Sequence, residues 1–136
     1  MWIKTNVPSL YGNAFLHDKE YLLAFWRGGA LRGTDRDTCH TYWMSGMNLR
    51  DKALYGHPTI KPLGMTSKIL RVFTDPGDMV LDPFSGSGTT AVACKELGRN
   101  FLGFEIDPEW HKAACDRLNG QTREEAKAKI IQEKLF

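Results

Sequence analysis

A chain of 136 residues, 42% hydrophobic and 25% charged, is long enough for one domain with a modest core and has the make-up of a globular protein. It contains no run of about 18 apolar residues that could span a membrane, and Met1-Trp2-Ile3-Lys4-Thr5-Asn6 lacks the apolar core of a signal peptide, so a cytoplasmic location is expected. Net charge is only +2, but residues 1–74 hold 10 Lys and Arg against 5 Asp and Glu, whereas residues 75–136 hold 8 against 11. A basic front half suits a phosphate backbone and an acidic rear half suits a cationic ligand. Cys39, Cys94 and Cys115 are odd in number and far apart, which argues against a metal or redox motif and predicts free thiols.

In chain order, a short strand is expected at Met1 to Lys4 and a second from Glu20 to Trp26. Asn6, Pro8, Ser9, Gly12 and Asn13 between them are turn formers, so the pair reads as a hairpin, with Phe25 and Trp26 expected in the core. From Gly28 to Gly56, glycines, aspartates and Asn48 break every regular period, and the segment reads as irregular. Here Arg32, Arg36, Arg50 and Lys52 are interleaved with Tyr42, Trp43 and Tyr55. Cations for phosphates and rings for stacking are what a nucleic-acid surface requires, which makes Arg32, Arg36, Trp43 and Arg50 candidate DNA-binding residues. A plain loop or a partner-contact surface fits the same residues. Cys39-His40 lacks a second ligand pair, so no metal site is expected.

Two prolines hold His57-Pro58-Thr59-Ile60-Lys61-Pro62 extended. Leu63 to Phe73 has helical spacing, with Leu63, Ile69, Leu70 and Phe73 apolar. Thr74 to Asp78 turns the chain into Met79-Val80-Leu81-Asp82, a short apolar run bounded by turn residues, as a buried parallel strand would be. Pro83 ends that strand. Gly86 and Gly88 permit a tight turn, Thr89 to Leu97 is helical, and Gly98 is its stop. Phe101 to Asp107 reads as a second strand ending in acids. Asp107-Pro108-Glu109 supplies an N-cap, a first-turn proline and an early acid, and Trp110, Ala113, Ala114, Cys115 and Leu118 an apolar helix face. After Gly120, Arg123 to Phe136 reads as a charged helix.

Strand, glycine turn and helix N-terminus make a ligand cradle at the carboxyl end of a strand. Gly86-Ser87-Gly88-Thr89-Thr90-Ala91 fits the dinucleotide pattern G-x-G-x-x-G/A. A Walker loop is excluded, since no Gly-Lys-Ser/Thr follows. A serine nucleophile elbow fails because position 85 is Ser where Gly is needed. Asp82 puts a carboxylate at the mouth of the turn, which opposes a pyrophosphate and suits a ligand with positive charge and amine donors. Glu105 stands where an acid would accept from both ribose hydroxyls, and Ile106 could lie against a base. These features mean adenosine recognition; spacing leaves NAD and S-adenosylmethionine both open.

The wording of three blocks is more specific. His57-Pro58-Thr59-Ile60-Lys61-Pro62, Asp82-Pro83-Phe84-Ser85-Gly86-Ser87-Gly88-Thr89-Thr90 and Gly103-Phe104-Glu105-Ile106-Asp107, in that order, resemble the DNA amino-methyltransferases, which methylate the exocyclic amine of adenine or cytosine. Their late place in the chain resembles the beta class. The resemblance covers essentially the whole chain and corresponds to the family's later half. It implies an α/β, Rossmann-like S-adenosylmethionine-dependent methyltransferase fold, incomplete in this chain. One domain is expected: a strand hairpin over 1–27, a variable target-recognition-like segment over 28–56, a cofactor-binding part over 57–120 and a C-terminal helix over 121–136.

The resemblance also implies S-adenosylmethionine as cofactor. Thr59, Lys61 and Pro62 would line its methionine end, and Asp82, Phe84, Ser85, Gly86, Gly88, Thr89, Glu105 and Ile106 would bind the rest. Double-stranded DNA is the implied substrate. In the family a Pro-Pro tetrapeptide does the catalytic work: its leading polar residue accepts from the target amine and its following ring stacks on the flipped base. This chain has no Pro-Pro, and Asn6-Val7-Pro8-Ser9 is the nearest string. No catalytic residue is therefore assigned. The chain reads equally as part of a split or truncated enzyme completed by a second polypeptide, as a degenerate remnant, or as a catalytically silent cofactor- or DNA-binding module. In each case, strand 79–82 is expected to expose an unpaired edge.

Overall fold

The computed structural model describes residues 1–5, 18–25, 27, 40–122 and 124–125. Trp26, Arg32, Arg36 and nearly all of the helix expected over 123–136 lie outside the described residues. The elements are β1 (Trp2–Lys4), β2 (Lys19–Glu20), β3 (Trp43–Ser45), α1 (Leu49–Tyr55), α2 (Leu63–Phe73), β4 (Met79–Asp82), α3 (Thr89–Leu97), β5 (Asn100–Gly103) and α4 (Pro108–Leu118). The strands form two sheets, one ordered β2-β1-β3 and one pairing β4 with β5.

The rear body is built on local signals. Strands β4 and β5 run parallel, from Met79 opposite Asn100 to Asp82 opposite Gly103. The connecting helix α3 starts after Gly88 (φ 70°) and stops at Gly98 (φ 72°), both left-handed positions that favour glycine. Helix α2 occupies the span its spacing predicts. Leu70, Ala93 and Cys94 form the core, with Leu63, Val80, Leu97 and Phe101 packed against them. Helix α4 begins as its sequence predicts. The Asp107 carboxylate accepts from the Glu109 and Trp110 amides, and Pro108 takes the first turn.

Four expectations need correction. Strand β2 is only two residues long, and Tyr21 to Phe25 are exposed, Phe25 at 88%. Its partner β1 is three residues long, so nothing past Glu20 has a ladder to join. The 28–56 segment is not irregular throughout, because it contains β3 and α1. Strand β3 pairs in parallel with β1, Trp2 opposite Trp43, a long-range contact with no local signature. Strand β4 is buried on one face only: Met79 is 65% and Leu81 60% exposed, because the helices described here cover the opposite face. Cys115 is exposed and Arg117 is buried instead, since the inward stripe of α4 runs through residues 110, 114 and 117.

Among the described residues, no helix is long and apolar enough to cross a membrane.

A candidate ligand site at the glycine turn

The turn between β4 and α3 is fixed from several sides. Asp82 Oδ1 accepts from the Phe84 amide at 3.1 Å, which closes the first bend after the strand. The Ser85 amide donates to the Phe104 carbonyl at 2.8 Å and its hydroxyl donates to the same oxygen at 3.1 Å, tying the turn to the end of β5. Two glycines are required here. Gly86 has φ 50°, and a Cβ there would meet His57 Nε2 at 3.1 Å. Gly88 has φ 70°, and a Cβ there would fall 2.9 Å from Ala114 Cβ. Thr89 is buried at the start of α3.

Glu105 is brought directly to this turn. One carboxylate oxygen accepts from the Gly86 amide at 2.8 Å and the other from the Asp107 amide at 3.0 Å. These bonds from the Asp107 and Gly86 amides hold its pKa below the usual carboxylate value, so it is ionised at neutral pH. Phe84, in the turn after β4, and Ile106, next to Glu105 in the chain, are 87% and 99% exposed. A carboxylate and two uncovered apolar side chains thus share the carboxyl end of a two-stranded parallel sheet.

The His57–Pro62 block meets the turn through a residue the sequence reading left out. His57 lies against Gly86 and packs edge-on against Trp110, with ring centroids 4.6 Å apart. Burial lowers its pKa, Glu105 opposes that shift, and Lys61 and Arg117 add to it, so the imidazole is held neutral. The signal was present, since His57 opens the His57–Pro62 block. Of the three residues that were named, Thr59 donates its amide to His57 Nδ1 at 3.3 Å. Pro62 is buried at the N-cap of α2. Lys61 pairs with Glu20 at 2.7 Å, and Glu20 also binds Lys4 at 2.7 Å, so this lysine ties the block to β2.

The candidate DNA-binding residues separate. Arg50 is exposed on α1. Trp43 is half-buried in β3 with its ring against Gly64, where a Cβ would meet it at 3.0 Å. Its indole N–H is sealed from water and has no acceptor among the described residues.

A family model described as DNA methylase, that of the N6/N4 methyltransferases, matches residues 1–116. The type II methyltransferase M2.DpnII of Streptococcus pneumoniae is 34% identical over 139 residues, covering 88% of this chain and 50% of that protein. M2.LlaDCHI of Lactococcus lactis subsp. cremoris is also 34% identical, over 87% of this chain and 49% of its own length. The chain therefore spans about half the length of these curated relatives. The crystal structure of an M1.HpyAVI-SAM complex superposes with a TM-score of 0.66 at 32% identity, over 87% of this chain and 59% of that one. A putative DNA modification methylase of Thermus thermophilus, complexed with S-adenosyl-L-methionine, gives 0.53 at 27% identity over 86% and 50%. With a Rossmann-like α/β fold and a match that runs through both the glycine turn and Glu105, this chain belongs to the DNA methylase family of the N6/N4 methyltransferases.

Proposed function

We propose that this chain is the cofactor-binding portion of a beta-class, site-specific DNA methyltransferase that transfers a methyl group from S-adenosylmethionine to the exocyclic amine of adenine or cytosine in double-stranded DNA. The observation that carries this reading is the bond between the Glu105 carboxylate and the Gly86 amide. It puts an ionised acid on the glycine turn itself, which supports a role for Glu105 in accepting from ribose hydroxyls.

The residues present fit such a nucleoside. Phe84 and Ile106 offer uncovered apolar faces for a base. A side chain at Gly86 would crowd His57, so glycine there lets the turn and the imidazole pack closely. Asp82 and Glu105 place negative charge where a sulfonium would be welcome, and the neutral His57 adds no opposing charge. When bound, the group supplies a methyl already activated by positive sulfur. The chain's own part is to bind, orient and exclude water. Exposed Arg50 on α1 suits the DNA backbone, as does the excess of Lys and Arg over residues 1–74 of the sequence.

A second polypeptide carrying the Pro-Pro tetrapeptide fits the surface of the rear body. Met79, Leu81, Leu102 and Phe104, all at least 50% exposed, line the outward side of the β4–β5 sheet and its end. Among the described residues β4 pairs with β5 alone, which leaves its other edge open. The absence of Pro-Pro from the chain favours one alternative, a silent cofactor- or DNA-binding module.

Radiolabel transfer to unmethylated DNA tests the assignment. We expect no transfer by the chain alone, and transfer once a polypeptide bearing the tetrapeptide half of a relative is added. Cofactor binding without transfer in either case favours the silent module. Calorimetric binding of NAD in preference to S-adenosylmethionine overturns both readings.

A further inference from the structure

Arg117 carries no assigned role, yet it is the most thoroughly buried charge described here, with its side chain 3% exposed. It reaches from α4 to the back of the glycine turn. Nη1 donates to the Ser87 carbonyl at 3.1 Å, to the Ser87 hydroxyl at 3.4 Å and to the Thr89 hydroxyl at 2.9 Å. Nη2 faces Asp51 Oδ2 of α1 at 3.4 Å, and the guanidinium lies 4.6 Å from the Tyr55 ring centroid. Asp51 is itself held by the Asn48 amide at 2.9 Å, and that amide also reaches the Lys61 carbonyl at 3.4 Å. One bonded path thus runs from α1 to the glycine turn and to the His57–Pro62 block.

Burying a guanidinium is costly unless its donors are used. Here they are used on a turn, where an apolar side chain would have served the packing alone. The planar fork holds the Ser87 and Thr89 oxygens with one nitrogen and Asp51 with the other, which a lysine's single nitrogen cannot do with the same geometry. Helix α1 has only seven residues and buries none of them, so its attachment to the body depends heavily on this contact.

We propose that Arg117 is a positioning residue: it sets the conformation of the 86–89 turn, and Asp51 and Tyr55 hold Arg117 in place, so that ligand affinity at the turn depends on helix α1. This rests on the nucleoside reading of the site. It also makes a segment outside the motifs a determinant of cofactor binding.

The test uses the whole chain, with S-adenosylmethionine as the titrant and the amide resonances of Gly86 and Gly88 as a second readout. Arg117→Lys keeps the charge and removes the fork. It should weaken binding about tenfold, the scale of one charge-assisted hydrogen bond, and move both glycine resonances. Asp51→Asn should do the same more weakly, about threefold, because the partly exposed carboxylate does not itself touch the turn. Thr89→Val combined with Arg117→Lys should lose less than the two single losses multiplied together. Folded variants with parental affinity and unmoved glycine resonances would overturn the proposal. So would affinity lost only in proportion to the folded fraction. If Arg117→Lys does not fold, Asp51→Asn decides, since unmoved resonances there sink the idea. A parent chain that binds no S-adenosylmethionine refutes the proposed function, and the resonances still report on Arg117.

Discussion

The body formed by β4, β5 and helices α2 to α4 buries Ala93 and Cys94 completely, whereas the front sheet β2-β1-β3 buries Trp2 and leaves Met44 and the run from Tyr21 to Phe25 in water. The first region is a small apolar core. The second is a seam of short strands, tied by the Trp2 indole to the Ser45 hydroxyl at 3.0 Å and by the Lys4–Glu20–Lys61 ion pairs. The difference teaches where each kind of function can sit. A site that must hold its shape to a fraction of an ångström lies on the core. Exposed aromatic side chains such as Tyr21, Phe25 and Tyr42 lie beside the seam, where little packing constrains them.

The sharpest way to break this contrast is a pair of truncations. Leu70→Ala should cost about 2–5 kcal/mol in denaturant unfolding, while Phe25→Ala should stay within about 0.5 kcal/mol. Comparable losses would erase the distinction between core and seam. Next in size is Gly88→Ala, which meets both a left-handed φ and the Ala114 side chain. It should cost about 1–3 kcal/mol by the same measurement. A smaller effect than Gly88→Ala belongs to the seam's ion pairs. Lys61 and Glu20 are each more than a third exposed, so water screens them, and Lys61→Met should cost less than about 1 kcal/mol.

The seam also has a pH signature. Burial tends to raise the Glu20 pKa, but hydrogen bonds from Lys4 and Lys61 outweigh it and hold the carboxyl below its ordinary value of 4.5. A depressed carboxyl stabilises the fold above that ordinary value, and the contribution is lost as pH falls through the folded value. Acid titration of the parent against Glu20→Gln should therefore show curves that differ at neutral pH and converge in acid. Curves that run parallel down to low pH would show that the pairs contribute nothing.

The same contrast explains what could be read in advance. Gly86, Gly88, Gly98 and the Asp107-Pro108 cap act within a few residues of themselves, so the β4-turn-α3 unit and the start of α4 were legible. Strand β3 exists because Met1 to Lys4 lies beside it, a pairing between residues some forty apart in sequence that no local period records. The exposure of Phe25 follows from the shortness of its partner strand, which also lies outside local pattern. Arg117 lies in none of the three motif blocks, so no motif pointed to it. Its spacing from Trp110 and Ala114 along one helical face was the available clue. Lys61 was placed by motif, but its ion pair with Glu20 depends on the long-range β1–β2 pairing that brings Glu20 to it.

Calorimetric titration of S-adenosylmethionine into the parent chain and into an Asp82→Asn, Glu105→Gln double variant tests the central claim most directly. The parent should bind saturably, and removing both charges should weaken binding roughly a hundredfold or more. Equal affinity in the two proteins would contradict that claim.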